Sequence, residues 1–393
     1  MLSHTGNIAP PSDETGVQGS RGNASTWTVG LLPPTASGSL GDQAMVEAAT
    51  EVLAARGRRV VIGLNNFQTR SAVSGPPGSH KLQVLAGLAG MAGRARHAGL
   101  IGADILDGVY NTSIIFKRFR ILRMLHRCGV QTRVFGSSWS ETPSERVIAF
   151  LRAAHWLHLH ARDAISQSRM EAVLERPVRL VADLAFLLRP EICAPEAQAA
   201  SRWIAARRAE GATLLGLNLA GLALCNATDD GIRAFATVVG DWLDADPRRA
   251  VVVMPHDARP GMVGDMLVLE RLHYALQGRF AQRMYRVPAT LDAWEMKALA
   301  GMVDLVVTGR MHLAIAAMGM GTPALCMVYQ GKFEGLMDHF GITGLTMTLE
   351  DVLTGKAGPQ LDNVTRRTTE LAARLKARLP VVLDLSRKNF EGM

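Results

Sequence analysis

Cysteine is scarce in this chain and has no pattern: Cys128, Cys193, Cys225 and Cys326 lie far apart, and no CxxC pair occurs. That excludes a disulfide framework and a cysteine-built zinc site, and a reducing cytoplasm is the simplest setting. Aromatic residues are only 5% of the chain, too few for the stacked platforms that grip single-stranded nucleic acid. No nucleic-acid-binding motif is present, so no nucleic-acid partner is expected. No apolar run approaches the roughly 20 residues of a bilayer span; the longest low-charge stretch, Leu82–Gly93, runs straight into Arg94, Arg96 and His97. The opening residues, MLSHTGNIAPPSDETGVQGSRGNAST, lack the apolar segment of a signal peptide, and residues 1–25 read as a disordered tail.

What is present suits α/β layers. The chain is 48% hydrophobic, with Ala, Leu, Val and Gly as the main filling. At 393 residues it exceeds the size at which one core stops growing, so two domains are expected. Strand and helix patterns alternate from TWTVGLLPP to VRLVADLAF, pause over an Ala-rich stretch with no strand pattern, and resume from LLGLNLAG onward. This predicts an α/β protein of two doubly wound, Rossmann-like domains, residues 26–191 and 213–357, facing across a cleft. Residues 192–212 form the junction, and residues 358–393 a helical C-terminal segment, helical to about Arg378, that closes against one of the domains. In open sheets of this kind ligands sit outside the carboxyl ends of the strands. The net charge is +8, and its densest patch is Ile114–Arg127, IIFKRFRILRMLHR. Apolar residues interleave there at helical spacing, which favours a solvated helix face; acidic glycans, anionic substrates or the cytoplasmic membrane surface are the partners its charge would suit.

One stretch sets polar chemistry in an apolar frame. In Val303–Tyr329, VDLVVTGRMHLAIAAMGMGTPALCMVY, Leu305–Thr308 and Ala324–Tyr329 read as buried parallel strands with a helix between them, stopped by Gly319, Gly321 and Pro323. Gly309 then falls at a strand end, and Arg310, Met311 and His312 in the first helical turn, where unpaired N–H groups and the helix dipole favour an anion. The arginine fork matches a carboxylate or phosphate. Alternatively Arg310 pairs with a neighbouring acid and His312 merely caps; this stretch alone leaves both open.

Other strand ends add candidates. Val251–Asp257 finishes in Pro255-His256-Asp257 on the same rim, so two histidines approach one cleft, although a loop imidazole bonded to Asp257 is the plainer reading of His256. In TASGSLGDQAM, Gly38, Ser39 and Gly41 let a ligand approach the backbone, and Asp42 either caps the helix or binds sugar hydroxyls; the loop is neither GxGxxG nor a P-loop. Ile101–Asn111 spaces Asp104 and Asp107 three apart, for acid–base work, for glycan hydroxyls or for turn chemistry, with Asp104 the preferred site residue. His158 and His160 share a strand face but nothing nearby completes a metal site, so they read as structural and no metal is expected. Arg162, Asp163 and Ser166 lie beyond that strand and are better placed. Trp139, in FGSSWSE, either stacks on a sugar face or packs.

Taken together, SGSLGDQAM, GADILDGVY, HARDAISQ, VADLAF, MPHD and VDLVVTGRMHLAIAAMGMGTPALCMVYQGKF, running in order over Leu31 to Gly341, resemble the polysaccharide pyruvyl transferase family. The last block, with Arg-x-His, Gly-x-Pro, Tyr329 and Lys332, is the most specific. The resemblance implies a GT-B-like fold and transfer of a pyruvyl group from phosphoenolpyruvate to two hydroxyls of one sugar in a glycan or lipid-linked saccharide, giving a cyclic ketal. It implies that Arg310, the Met311 backbone and His312 hold phosphoenolpyruvate, with Arg162 and Lys332 as further anion contacts. His312 is then the candidate acid, His256 the candidate base, and Ser39, Asp42, Asp104 and Trp139 the acceptor face. No cofactor beyond this co-substrate, no metal and no nucleotide are implied. The first loop and FGSSWSE depart from the Asn-x-Gly-Asp and Gln-x-x-Gly-Pro forms usual in the family, which bears on acceptor identity more than on donor binding. A GT-B glycosyltransferase using a nucleotide sugar, and a non-catalytic glycan-binding protein of the same fold, are the alternatives. A cytoplasmic protein is expected, with peripheral membrane contact left open.

Overall fold

The alternating pattern resolves into two parallel sheets. The structure, a computed structural model, describes residues 27–34, 38–63, 73–74, 90–220, 229–328 and 333–393. The tail expected over residues 1–25 and the anion contact expected at Lys332 fall outside these. The first sheet comprises β1 (Thr28–Leu32), β2 (Arg59–Ile62), β3 (Val73–Ser74), β4 (Ala95–Ala103), β5 (Gln131–Ser137), β6 (Leu157–Ala161) and β7 (Arg179–Leu180), in the order β3-β2-β1-β4-β5-β6-β7. The second comprises β8 (Thr213–Leu217), β9 (Arg249–Val253), β10 (Met284–Arg286), β11 (Leu305–Thr308), β12 (Ala324–Met327) and β13 (Thr346–Met347), in the order β10-β9-β8-β11-β12-β13. Every ladder in both is parallel. Strand order reverses between β1 and β4 in one sheet and between β8 and β11 in the other, and those crevices are where such sheets bind ligands.

Flanking helices are α1 (Leu40–Ala55), α2 (Thr112–Arg127), α3 (Glu145–Ala153), α4 (Ala164–Leu174), α5 (Pro195–Ala209), α6 (Asp229–Asp244), α7 (Met266–Phe280), α8 (Ala293–Ala300), α9 (Met311–Gly319), α10 (Phe333–Phe340), α11 (Leu349–Leu353), α12 (Ala357–Arg366) and α13 (Thr368–Arg387). One apolar core continues from β1 and α1 through Leu184–Leu188 into the second sheet, so the two halves share buried surface. Lys297 of α8 is buried there, its Nζ donating to the Ala185, Phe186 and Leu188 carbonyls at 3.0, 2.9 and 2.8 Å.

Two features differ from the sequence reading. β4 is the central strand beside β1, although Arg96, His97, Gly99 and Gly102 interrupt the apolar pattern that marks a strand in ARHAGLIGA. Glycine is required at position 99: a Cβ there would sit 2.1 Å from the Phe135 ring. Helix α13 runs to Arg387 rather than stopping near Arg378, with Pro380 inside it. Tertiary contact carries it past the proline. Ser386 is buried and donates to the Asp183 carbonyl at 2.8 Å. Asn389 then joins the first sheet, donating to Ala182 O and accepting from Gly136 N–H, both at 2.9 Å. The C-terminal segment thus closes on the first sheet after starting beside the second.

Candidate functional site

The chain leaving β1 and the chain leaving β9 meet across the cleft. Ser39 caps α1, accepting from the Asp42 N–H at 3.3 Å, and makes an isolated antiparallel bridge with Asp257. The Leu40 N–H donates to His256 O at 3.1 Å and the Ala258 N–H to Gly38 O at 2.9 Å. The rims are therefore in direct backbone contact.

On the second sheet, Asp265 organises the rim. It is fully buried at the start of α7 and accepts from the His256 and Asp257 N–H groups at 2.9 and 3.0 Å, from Asn218 Nδ2 at 2.8 Å and from Arg310 Nε at 2.7 Å. Burial pushes its carboxyl above the usual range, while Arg310 and these donors pull it back. Arg310 also lies 3.1 Å from Asp257 Oδ2 and donates to the Val263 carbonyl. The Arg310 guanidinium is thus held by two carboxylates, as the ion-pair reading expected, and it braces the Pro-His-Asp loop against β11. In the first turn of α9 the Leu313 and Ala314 N–H groups donate to the Arg310 carbonyl, both at 3.2 Å, and Arg310 at the N-cap gives no side-chain cap, which among the described residues leaves the Met311 and His312 N–H groups for a ligand.

His312 reaches over to the first sheet. Its Nε2 is buried without a hydrogen-bond partner and stands 3.6 Å from Asp183 Oδ2. The other flank of the ring packs on the backbone of Gly41, where a Cβ would lie 2.3 Å from Nδ1. Asp183 follows β7, accepts from the Ala185 N–H at 2.9 Å and pairs with Arg162 Nη1 at 3.1 Å. Burial alone would raise its carboxyl, but His312, Arg162 and the Ala185 N–H hold it well below the carboxylate range. Arg162, itself buried, also donates to Ser138 Oγ at 2.7 Å. His256 is buried beside this group; desolvation first, then the charges of His312 and Arg310, keep its pKa well below 6.5, so it is neutral at neutral pH.

The acceptor-side candidates divide. Asp42 and Asp104 both lie near enough to Arg259 to favour its charge, after the larger effect of its hydrogen bonds to Asp257. Arg259 pairs with Asp257 Oδ2 at 2.5 Å, and its side chain presses on Gly38. Asp107 makes the contacts of a turn: it is buried and accepts from the Val109 and Ser140 N–H groups, both at 3.1 Å. Trp139 is 2% exposed and packs in the core of the first domain with Leu106 and Val147. Most of the ring is taken up by this packing, and its remaining edge borders a cleft. That cleft, of about 240 Å³, is lined by Asp107, Val109, Trp139, Asp163, Arg169 and Gly335 among others and opens between the halves. His160 is buried and His158 exposed; among the described residues no group of three or more His, Cys, Asp or Glu side chains is placed to hold a metal ion.

Four contributors were not singled out from sequence: Asp183, Asp265, Arg259 and Asn218. Asp183 stands in the quoted VADLAF stretch, at a strand end, and that position was its signal. Asp265 and Asn218 had none, since a single acid or amide before an ordinary helix or after an ordinary strand is indistinguishable from a cap.

A family model for polysaccharide pyruvyl transferases matches residues 40–331. Solved structures share the architecture at low identity. A UDP-GlcNAc 2-epimerase from Neisseria meningitidis bound to UDP-GlcNAc aligns with TM-score 0.54 and 8% identity over 91% of this chain and 99% of that one. The S. aureus MnaA–UDP co-structure gives 0.59 and 9% over 90% and 91%. A glycosyltransferase from Rickettsia africae gives 0.51 and 8% over 94% and 100%. At these identities the likeness is one of fold, the GT-B arrangement.

Proposed function

The chain belongs to the polysaccharide pyruvyl transferase family, and on that premise we propose that it moves the pyruvyl group of phosphoenolpyruvate onto two hydroxyls of one sugar, forming a cyclic ketal and releasing phosphate. The observation that carries this reading is the buried, unpartnered Nε2 of His312, set between the Asp183 carboxylate and the Gly41 backbone at an interdomain cleft. A buried imidazole nitrogen without a partner is costly unless a ligand supplies one.

In this proposal the donor's phosphate and carboxylate lie at the first turn of α9, on the Met311 and His312 N–H groups. His312 delivers a proton to the methylene carbon of phosphoenolpyruvate, leaving the adjacent carbon electrophilic; one sugar hydroxyl adds there, phosphate departs, and the second hydroxyl closes the ketal. Asp183 orients the His312 ring, and Arg162 balances the charge of Asp183. His256, neutral through burial, is the base that takes a hydroxyl proton. Arg310 serves the site by holding the His256 loop, and it contacts the donor directly only by releasing Asp257 or Asp265. Ser39, Asp42 and Asp104, with Arg259 among them, face the acceptor glycan.

The test is thermal unfolding with phosphoenolpyruvate against UDP and inorganic phosphate. At a hundred-fold excess over Kd, linkage gives about 2.7 kcal/mol of stabilisation. Incubation with phosphoenolpyruvate and a panel of free and lipid-linked glycans, followed by mass spectrometry, then seeks the ketal. A shift with UDP and none with phosphoenolpyruvate would overturn the reading in favour of a nucleotide-sugar enzyme.

A further inference from the structure

The most basic segment of the chain is left unused by this chemistry. Helix α2 buries Ile115, Phe119, Leu122 and Leu125 against the first sheet and carries no acidic residue. Lys117, Arg120, Met124 and Arg127 recur at three- and four-residue spacing on the opposite face, all exposed. None of Lys117, Arg120, Arg127 or the neighbouring Arg146 makes an ion pair among the described residues, although exposed arginines elsewhere in the chain are paired repeatedly. Lys117, Arg120 and Arg146 converge with Thr112, Ser113 and Phe116 on a pocket of about 210 Å³, where Arg146 stacks over the Phe116 ring. Large apolar side chains stand exposed at the margin of the patch: Val109 at 47%, Ile114 at 41% and Met124 at 37%. Val109 also lines the 240 Å³ interdomain cleft, so this face borders its mouth.

We propose that the outer face of α2, with the pocket at its N-terminal end, docks the protein on an anionic membrane surface, a lipid phosphate entering the pocket between Lys117, Arg120 and Arg146. Unpaired cations on a helix with no acid match a layer of phosphates, and the exposed apolar residues at the margin suit the headgroup boundary. The orientation would hold the cleft mouth near the bilayer, where a lipid-linked acceptor carries its sugar; that last step rests on the proposed transfer, whereas the docking does not.

Co-sedimentation of the full chain with vesicles tests it. Wild type should bind phosphatidylcholine vesicles containing phosphatidylglycerol, fail to bind phosphatidylcholine alone, and release as salt rises. Each basic residue near such a surface contributes roughly a five-fold factor, so neutralising three should weaken partitioning about 100-fold. Lys117→Gln/Arg120→Gln/Arg146→Gln is therefore compared with Arg202→Gln/Arg366→Gln/Lys388→Gln, which removes the same charge from exposed positions elsewhere, with unchanged melting required of both. Loss in the first and retention in the second supports docking through α2. Equal loss in both, no binding by wild type, or tighter binding to RNA than to vesicles overturns it. Because vesicle binding is read without any transfer reaction, its failure and a failure of pyruvyl transfer are separate results.

Discussion

Gly41→Ala adds one methyl group where the two halves of the site touch. Gly41 lies in the first turn of α1 with its backbone against the His312 ring, and the new Cβ would stand 2.3 Å from Nδ1, 2.4 Å from Cγ and 2.7 Å from Cβ of His312. Ordinary contact begins near 3.4 Å, so the ring or the helix start must yield by about an ångström. Alanine is intrinsically better than glycine in a helix by about 1 kcal/mol, which partly offsets the overpacking cost of about 1–3 kcal/mol. Stability should therefore fall by about 0–2 kcal/mol, whereas displacing the proton donor by an ångström should lower turnover on the order of 100-fold. Ketal formation by mass spectrometry reports the rate, and thermal unfolding reports the stability. Background matters: His312→Gly removes all three of the atoms nearest the new Cβ, so in that background Gly41→Ala should cost markedly less stability. A Gly41→Ala protein that turns over like wild type, or a stability loss that persists in His312→Gly, would refute the placement of His312 against α1.

Three further outcomes follow from the same geometry. His312→Gln keeps size and a hydrogen-bond donor but cannot deliver a proton near neutral pH, so turnover should fall roughly 100-fold or more while phosphoenolpyruvate affinity, read by calorimetry, changes less. Arg310→Ala should chiefly destabilise, by about 3–5 kcal/mol, because it strips the buried Asp265 of its cation; Asp265 then favours its neutral form still more, so the deficit in melting should shrink as pH falls, and an unchanged melt with weakened donor binding would restore the direct-contact reading. His160 is buried with its pKa lowered from 6.5 to about 3, chiefly by desolvation. Between those values the unfolded chain binds the proton and the folded one does not, so His160 contributes roughly 1.4 kcal/mol per unit to the loss of stability as pH drops from 6.5 towards 3, beside the contributions of His97 and His256; His160→Gln should make that limb shallower by this amount in urea titrations across pH.

Periodicity and punctuation carried much of the fold. Alternating apolar runs and amphipathic segments announced doubly wound sheets, since strand burial on both faces and 3.6-residue spacing are local properties of the chain. Glycine misled at β4, because Gly99 and Gly102 mark close packing on Phe135 and Ser137 rather than a turn, and a close approach is invisible without the partner. Proline misled at α13 for the complementary reason: contacts made by Ser386 and Asn389 with a remote sheet outweigh the lost hydrogen bond.

By itself the sequence determined which residue types stand at the strand ends: an Arg-x-His at one, a Pro-His-Asp at another, a small-residue loop before an Asp at a third. Strand-end position follows from the local pattern, and an order of motifs is a property of the chain. Pairing is not. Only the tertiary structure decided that Arg310 faces Asp257 and Asp265 while His312 faces Asp183 and Gly41. Those partners are 45 to 271 residues away in the chain, and a charge's role is set by what surrounds it in three dimensions: two buried carboxylates turn one cation into a brace, and a single carboxylate at 3.6 Å leaves the neighbouring imidazole a nitrogen for a ligand to fill.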